Sequence, residues 1–136
     1  MRIRTLIWVF LFGCAFTATH LPPSNLPSAP WISDKAEHAL GFAVLGFVTC
    51  WRFGACSRMR GSSEASGQTS RRDARGSMGL YLKMALFLAA YALVDESTQP
   101  WVGRSCEALD WVADMFGAAI GLLAGGFCFH VRGASR

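Results

Sequence analysis

Four apolar segments constrain the fold of this chain more than any other feature of its sequence. They cover residues 5–19, 36–52, 78–94 and 109–130. Each is close to the roughly 17–25 residues that a helix needs to cross a bilayer, and the first is the shortest. The pattern therefore predicts an all-α integral membrane protein: one domain over residues 1–136, with a bundle of four transmembrane helices.

Charge content agrees with this interpretation, because only 16% of the residues are charged, against ~25% in soluble domains. The first segment follows Arg2 and Arg4, as the apolar region of a signal peptide would. The stretch 15–18 is a weak match to a cleavage site. We therefore expect a retained helix, with cleavage as the open alternative.

The distribution of arginine predicts the orientation. Basic residues concentrate at both ends of the chain and in the 53–77 connection, whereas the connections 20–35 and 95–108 contain only Lys35 and Arg104. The positive-inside rule then places both termini and residues 53–77 in the cytoplasm, with the other two connections outside an inner (cytoplasmic) membrane. Residues 53–77 are rich in Ser, Gly and Arg, which predicts a flexible loop. Because the arginines act as topology signals, we expect no nucleic-acid partner.

The acidic residues are unevenly placed, since seven of the nine flank the two outward connections. Asp34 and Glu37 are compatible with simple capping at a helix start. Asp95 and Glu96 come at the C-terminal end of a predicted helix, where the helix dipole disfavours each carboxylate by ~0.3–1 kcal/mol. Local helix energetics therefore leave this second pair unexplained.

Asp110 and Asp114 lie one helical turn apart, which puts Asp114 ~6 Å deeper in the bundle. Ionisable residues within membrane spans face the interior or water, and are candidates for function by default. We expect one outward-facing site from residues that three predicted helices and the outer connection bring together: Asp34, Lys35, His38, Asp95, Glu96, Gln99, Arg104, Asp110 and Asp114. Arg104 is expected to pair with Asp95, Glu96 or Asp110, or to grip a phosphate.

Small residues predict how the helices pack. Gly117, Gly121 and Gly125 repeat at spacing four on the last segment, and a stripe of Ala85, Ala89 and Ala92 lies on the third. Such stripes let helix backbones approach closely in lipid. The spacing leaves open whether the glycines join helices of one chain or form a homo-oligomer. Residues 20–33 contain several prolines and are expected to run extended.

The ordered set of polar motifs resembles the VanZ-like membrane protein family. The resemblance rests on D-K-x-x-H from Asp34, D-E-x-x-Q from Asp95, then Arg104, and D-x-x-x-D from Asp110 followed by glycines. It covers residues 31 to about 121; the long, arginine-rich 53–77 connection departs from the pattern. The resemblance implies a small helical integral membrane protein. It also suggests a link to glycopeptide resistance, because the named member of the family is associated with low-level resistance to teicoplanin.

Three interpretations of the polar set stay open at this point. It could bind or process a phosphorylated lipid or cell-envelope precursor, with Arg104 and Lys35 on phosphate and the acids on a divalent cation such as Mg²⁺. In that case His38, Glu96 or Asp114 would be the catalytic candidates. It could instead belong to a proton- or cation-coupled transporter. Lastly, it could be a structural cluster that only fixes helix packing.

Overall fold

The computed structural model describes residues 2–21, 33–53 and 70–134. These residues form four helices, which we number α1 (Arg2–Thr19), α2 (Asp34–Phe53), α3 (Ser70–Thr98) and α4 (Ala108–Ala134). A 3-10 turn, Gln99–Val102, connects α3 to α4. No strand occurs in the described ranges, so the prediction of an all-α fold is confirmed.

Two predicted connections differ from the structure. The expected 53–77 loop is wrong over 70–77, because α3 begins at Ser70. Residues 70–77 contain Arg and Ala, which favour helix. The rest of the expected loop, residues 54–69, lies outside the described part. The expected extended segment is wrong at its start, since the backbone N–H of His20 donates to the Phe16 carbonyl at 3.1 Å. Its prolines, at 22–30, lie outside the described residues.

Helices α2 and α4 make the closest contact of the bundle. A Cβ atom built on Gly117 or Gly121 would collide with the backbone of α2 at Ala39 or Ala43. One on Gly125 would collide with the Cys50 side chain. The glycine stripe is therefore a packing seam within one chain. A homo-oligomer stays a prediction, and its contact would need another face of α4.

Larger side chains pack α1 and α3 onto this pair. The Phe12 ring lies 4.8 Å from that of Tyr91, edge to face, and the Trp8 indole donates to Thr49 Oγ1 at 3.0 Å. The predicted alanine stripe on α3 is wrong at Ala85, which is exposed. The buried line instead runs through Met84, Leu88 and Ala92, because longer side chains fill the wider gap where α3 does not approach a backbone closely.

Apolar side chains also cover the outside of the bundle. Leu86, Phe116, Leu123 and Phe127 are each at least 60% exposed. The stretches Met78–Val102 and Ala108–Cys128 are long and apolar enough to cross a membrane, and most of their residues are not buried. Exposed apolar surface of this extent needs a partner or lipid. By length and composition, the two stretches indicate membrane association.

Candidate functional site

Most of the buried polar side chains among the described residues lie at one end of the bundle, where α1 and α3 end and α2 and α4 begin. We call this region the polar end. All of the predicted site residues lie here, and six of them are at most 5% exposed: His38, Asp95, Glu96, Gln99, Asp110 and Asp114. The structure thus brings together side chains from three helices and the 3-10 turn, while Asp34, Lys35 and Arg104 form the rim.

A triad lies at the centre of the polar end: His38 from α2, Glu96 from α3 and Asp114 from α4. His38 Nδ1 lies 3.0 Å from Asp114 Oδ1 and 3.4 Å from Glu96 Oε1. The amide of Gln99 donates to the same Glu96 oxygen at 3.2 Å. One imidazole therefore meets two buried carboxyl groups.

The second oxygen of each triad carboxyl group has no hydrogen-bond partner in the described structure. These atoms are Glu96 Oε2 and Asp114 Oδ2, and both are buried. Buried polar atoms are nearly always hydrogen-bonded, so two such oxygens beside one histidine are an exception that calls for a physical cause. For Glu96, the predicted difficulty of explaining its position by local helix energetics therefore extends to its tertiary contacts.

The rim arginine does not pair as the sequence suggested. Arg104 contacts Asp34 Oδ1 through one terminal nitrogen at 2.9 Å, and its other terminal nitrogen donates to the Thr19 carbonyl at 3.4 Å. The expected pairing with Asp95, Glu96 or Asp110 is wrong, because Arg104 pairs with Asp34 at the exposed start of α2; the alternative, a phosphate, stays a prediction. Ser33 caps α2 instead, accepting from the Ala36 N–H at 3.3 Å.

Lys35, the other rim cation, also has acidic partners. Its Nζ lies 3.0 Å from Glu107 Oε2 and 3.1 Å from Asp110 Oδ1. The hydrogen bond to Glu107 raises the pKa of Lys35, and the same contact lowers the pKa of Glu107. With both rim cations paired, Asp95, Glu96 and Asp114 have no Lys or Arg partner among the described residues.

Sequence reasoning missed the contribution of α1 to this region. Thr19 Oγ1 donates to Asp95 Oδ1 at 2.8 Å, and His20 Nδ1 lies 3.7 Å from the same oxygen. His20 stacks on Phe16 with ring centroids 3.9 Å apart. A signal was present, because these two polar residues end an apolar segment at the same outer level as the other site residues.

A cavity of about 170 Å³ lies beside the triad, between α1, α2 and α3. Its lining is polar on one side and apolar on the other: Ala15, Ala18, Thr19, Asp34, Glu37, His38, Gly41, Phe42, Tyr91, Asp95 and Arg104. Drug-sized pockets usually measure ~300–1,000 Å³, so this one suits a headgroup or a short stretch of chain rather than a whole lipid.

Two sets of side chains at the polar end are close enough to hold a metal ion. One is the triad, and the other is Asp34, His38 and Asp110; in each, the ligand atoms lie within 4.8 Å of one another. The second set is weaker, because Asp34 is exposed and Asp110 contacts Lys35.

Comparison of the chain with protein-family models, with curated proteins and with solved structures found no match.

Proposed function

We propose that this chain is a VanZ-like, multi-pass protein of the inner membrane whose polar end binds or processes a phosphorylated lipid or another cell-envelope component. In this proposal all four helices cross the bilayer, both termini are cytoplasmic and the polar end faces outward. The arginine distribution and the exposed apolar faces support this topology. The resemblance in motif order supports a link to glycopeptide resistance of the teicoplanin type.

The two-sided cavity is the observation that carries the proposal. Arg104 and His38 lie on its polar side, and Phe42 and Tyr91 lie on its apolar side. A lipid with an anionic headgroup combines the same two chemistries. The guanidinium of Arg104 has five N–H donors. In the described structure, one N–H donates to Asp34 and one to the Thr19 carbonyl, so three donors are left for a phosphate.

The proposal is favoured over transport by where the charges lie. On the described helices, buried acids stop at Asp114, and the core beyond it contains Phe42, Leu45, Leu88 and Leu122. A proton or cation relay needs ionisable or polar groups that continue across the membrane. Beyond Asp114, the described core offers Thr49 as a buried polar side chain, which disfavours a continuous path.

Native mass spectrometry of the purified protein tests the proposed ligand class. A polyprenyl phosphate should bind, whereas the matching polyprenol without phosphate should bind at least tenfold more weakly. Arg104→Gln should remove this preference, while Arg52→Gln, at the opposite end of α2, should keep it. Equal binding of the two lipids to the wild-type protein would refute a phosphate-reading site.

Cysteine labelling tests the proposed orientation. Cys106 is exposed and lies two residues from Arg104, whereas Cys56 lies in the cytoplasmic connection of the proposal and outside the described residues. A membrane-impermeant maleimide should label intact cells at Cys106 and leave Cys56 unmodified. The reverse pattern would invert the topology and place the polar end in the cytoplasm.

A further inference from the structure

We propose that His38, Glu96 and Asp114 bind one divalent transition-metal ion, of the class of Zn²⁺ or Mn²⁺. The first support is distance. Protein ligands lie ~2.0–2.2 Å from zinc, so two ligands of one tetrahedral ion lie about 3.3–3.6 Å apart. The separation of 3.4 Å from His38 Nδ1 to Glu96 Oε1 lies within this range. The 3.0 Å from His38 Nδ1 to Asp114 Oδ1 is a hydrogen-bond distance, which must lengthen by about 0.3 Å to admit the ion. All three ligand atoms lie within 4.8 Å of one another.

The second support is the number of unused acceptors. A neutral imidazole carries one N–H, so Nδ1 can donate to one of the two carboxylates but not fully to both. Glu96 Oε2 and Asp114 Oδ2 lack hydrogen-bond partners although their side chains are 3% and 0% exposed. A metal ion would use the acceptor capacity that hydrogen bonds within the described structure leave over.

The third support is charge. In the form that metal ligation requires, with both carboxyl groups ionised and the histidine neutral, the triad carries two negative charges, and burial penalises unpaired ions. Arg104 and Lys35 contact other acids, and no described Lys or Arg side chain forms an ion pair with Glu96 or Asp114. A divalent cation neutralises the triad without any further residue.

The donor types select the metal. Mg²⁺ and Ca²⁺ prefer sites made of oxygen alone, whereas imidazole nitrogen suits zinc and its first-row neighbours. The triad therefore differs from the all-oxygen set that a Mg²⁺ site would use. Gln99 donates to Glu96 at 3.2 Å, which is the kind of outer hydrogen bond that orients a ligating carboxylate.

Three protein ligands leave a coordination position on the ion, as in metal sites that bind a further small ligand. His38 lies both in the triad and on the wall of the cavity, so that position is expected to communicate with the cavity. Metal binding stands apart from the lipid proposal, because the triad needs no lipid to be complete.

Equilibrium binding of Zn²⁺ to chelator-stripped protein in detergent, without lipid, tests this inference. The wild-type protein should bind one Zn²⁺ per chain, with Mg²⁺ at least 100-fold weaker. Asp114→Asn and Glu96→Gln should each weaken Zn²⁺ at least 100-fold, and Gln99→Ala should weaken it roughly 10–100-fold. Glu37→Gln, which alters an acid of the cavity wall outside the triad, should leave affinity unchanged.

X-ray absorption of the wild-type zinc complex keeps the test decisive if a variant fails to fold. One imidazole and oxygen ligands at about 2.0–2.2 Å are expected. Sulfur ligands at ~2.3 Å would assign the ion to cysteines and overturn the proposal. So would the absence of stoichiometric binding, or equal binding by wild type and Asp114→Asn.

Discussion

The polar end and the glycine seam lie next to each other on the same two helices, yet they are held by opposite means. At the seam, Gly117 packs against the backbone at Ala39 with no room for a side chain. One turn away, His38 and Asp114 meet through polar atoms 3.0 Å apart. His38 precedes Ala39, and Asp114 lies three residues before Gly117. The seam therefore sets the helix separation that positions the triad.

This comparison also separates what each region contributes. The seam is fully packed, since each of its glycines already contacts α2 and leaves no room for a side chain. The polar end keeps buried carboxylate oxygens without hydrogen-bond partners among the described residues: Glu96 Oε2, Asp114 Oδ2 and Asp110 Oδ1. Of these, only Asp110 Oδ1 faces a described cation, Lys35. Regions that keep unpaired polar groups at a cost in stability are where binding is expected. The seam thus serves stability, and the polar end serves recognition.

Gly121→Ala should give the largest loss of stability, because the added methyl group collides with the Ala43 backbone. Overpacking of this kind costs about 1–3 kcal/mol. Gly79→Ala is the matched control, since a Cβ there meets nothing within 4 Å. Unfolding in mixed micelles should therefore show a lower free energy for Gly121→Ala only. Equal values for the two variants would mean that the close α2–α4 contact is absent.

Gly117→Ala links the two regions and should lower both stability and Zn²⁺ affinity. The collision with Ala39 pushes α4 away from α2 beside His38, so the ligand geometry is disturbed together with the packing. Gly121→Ala, one turn farther from the triad, should lower affinity less. If Gly117→Ala destabilises the protein and leaves Zn²⁺ affinity unchanged, then the seam does not position the triad.

Ser33→Ala should have a smaller effect, because it removes only the cap of α2. Loss of an N-cap side chain costs about 0.5–2 kcal/mol. Asp34→Asn should cost less than Ser33→Ala, since Asp34 is about half exposed and its ion pair with Arg104 lies at the rim. Measuring the free energy of unfolding of both variants tests this order. A larger loss for Asp34→Asn than for Ser33→Ala would mean that Asp34 caps α2.

The Lys35–Glu107 contact should give the smallest effect, visible only as a dependence on pH. The pKa of Glu107 is lowered from its ordinary value of 4.5 by its hydrogen bond to Lys35. The stabilisation is therefore present above pH 4.5 and lost as the pH falls through the lowered pKa. Lys35→Met should flatten the acid side of the stability profile. An unchanged profile would show that this exposed pair contributes nothing.

Much of the fold could be predicted from the sequence, and so could most of the residues that form the polar end. Apolar segment length located the helices, and the glycine spacing located the seam. The sequence did not predict which acid pairs with Arg104, because the pattern places several acids near this arginine. The structure pairs Arg104 with Asp34, and Ser33 rather than Asp34 caps α2. The part of Thr19 and His20 was not predicted, because two polar residues at the end of an apolar segment do not reveal their partners and because the connection that begins at His20 was expected to run extended.

The free energy of unfolding of metal-free Asp114→Asn tests the central claim that the polar end is built for a bound cation rather than for stability. Asparagine keeps an oxygen for His38 and removes one buried charge. We expect stability within about 1 kcal/mol of wild type, or higher, because a charge that lacks a cation is costly to bury. A loss of about 3–5 kcal/mol, typical of breaking a buried ion pair, would contradict the account and make the triad structural.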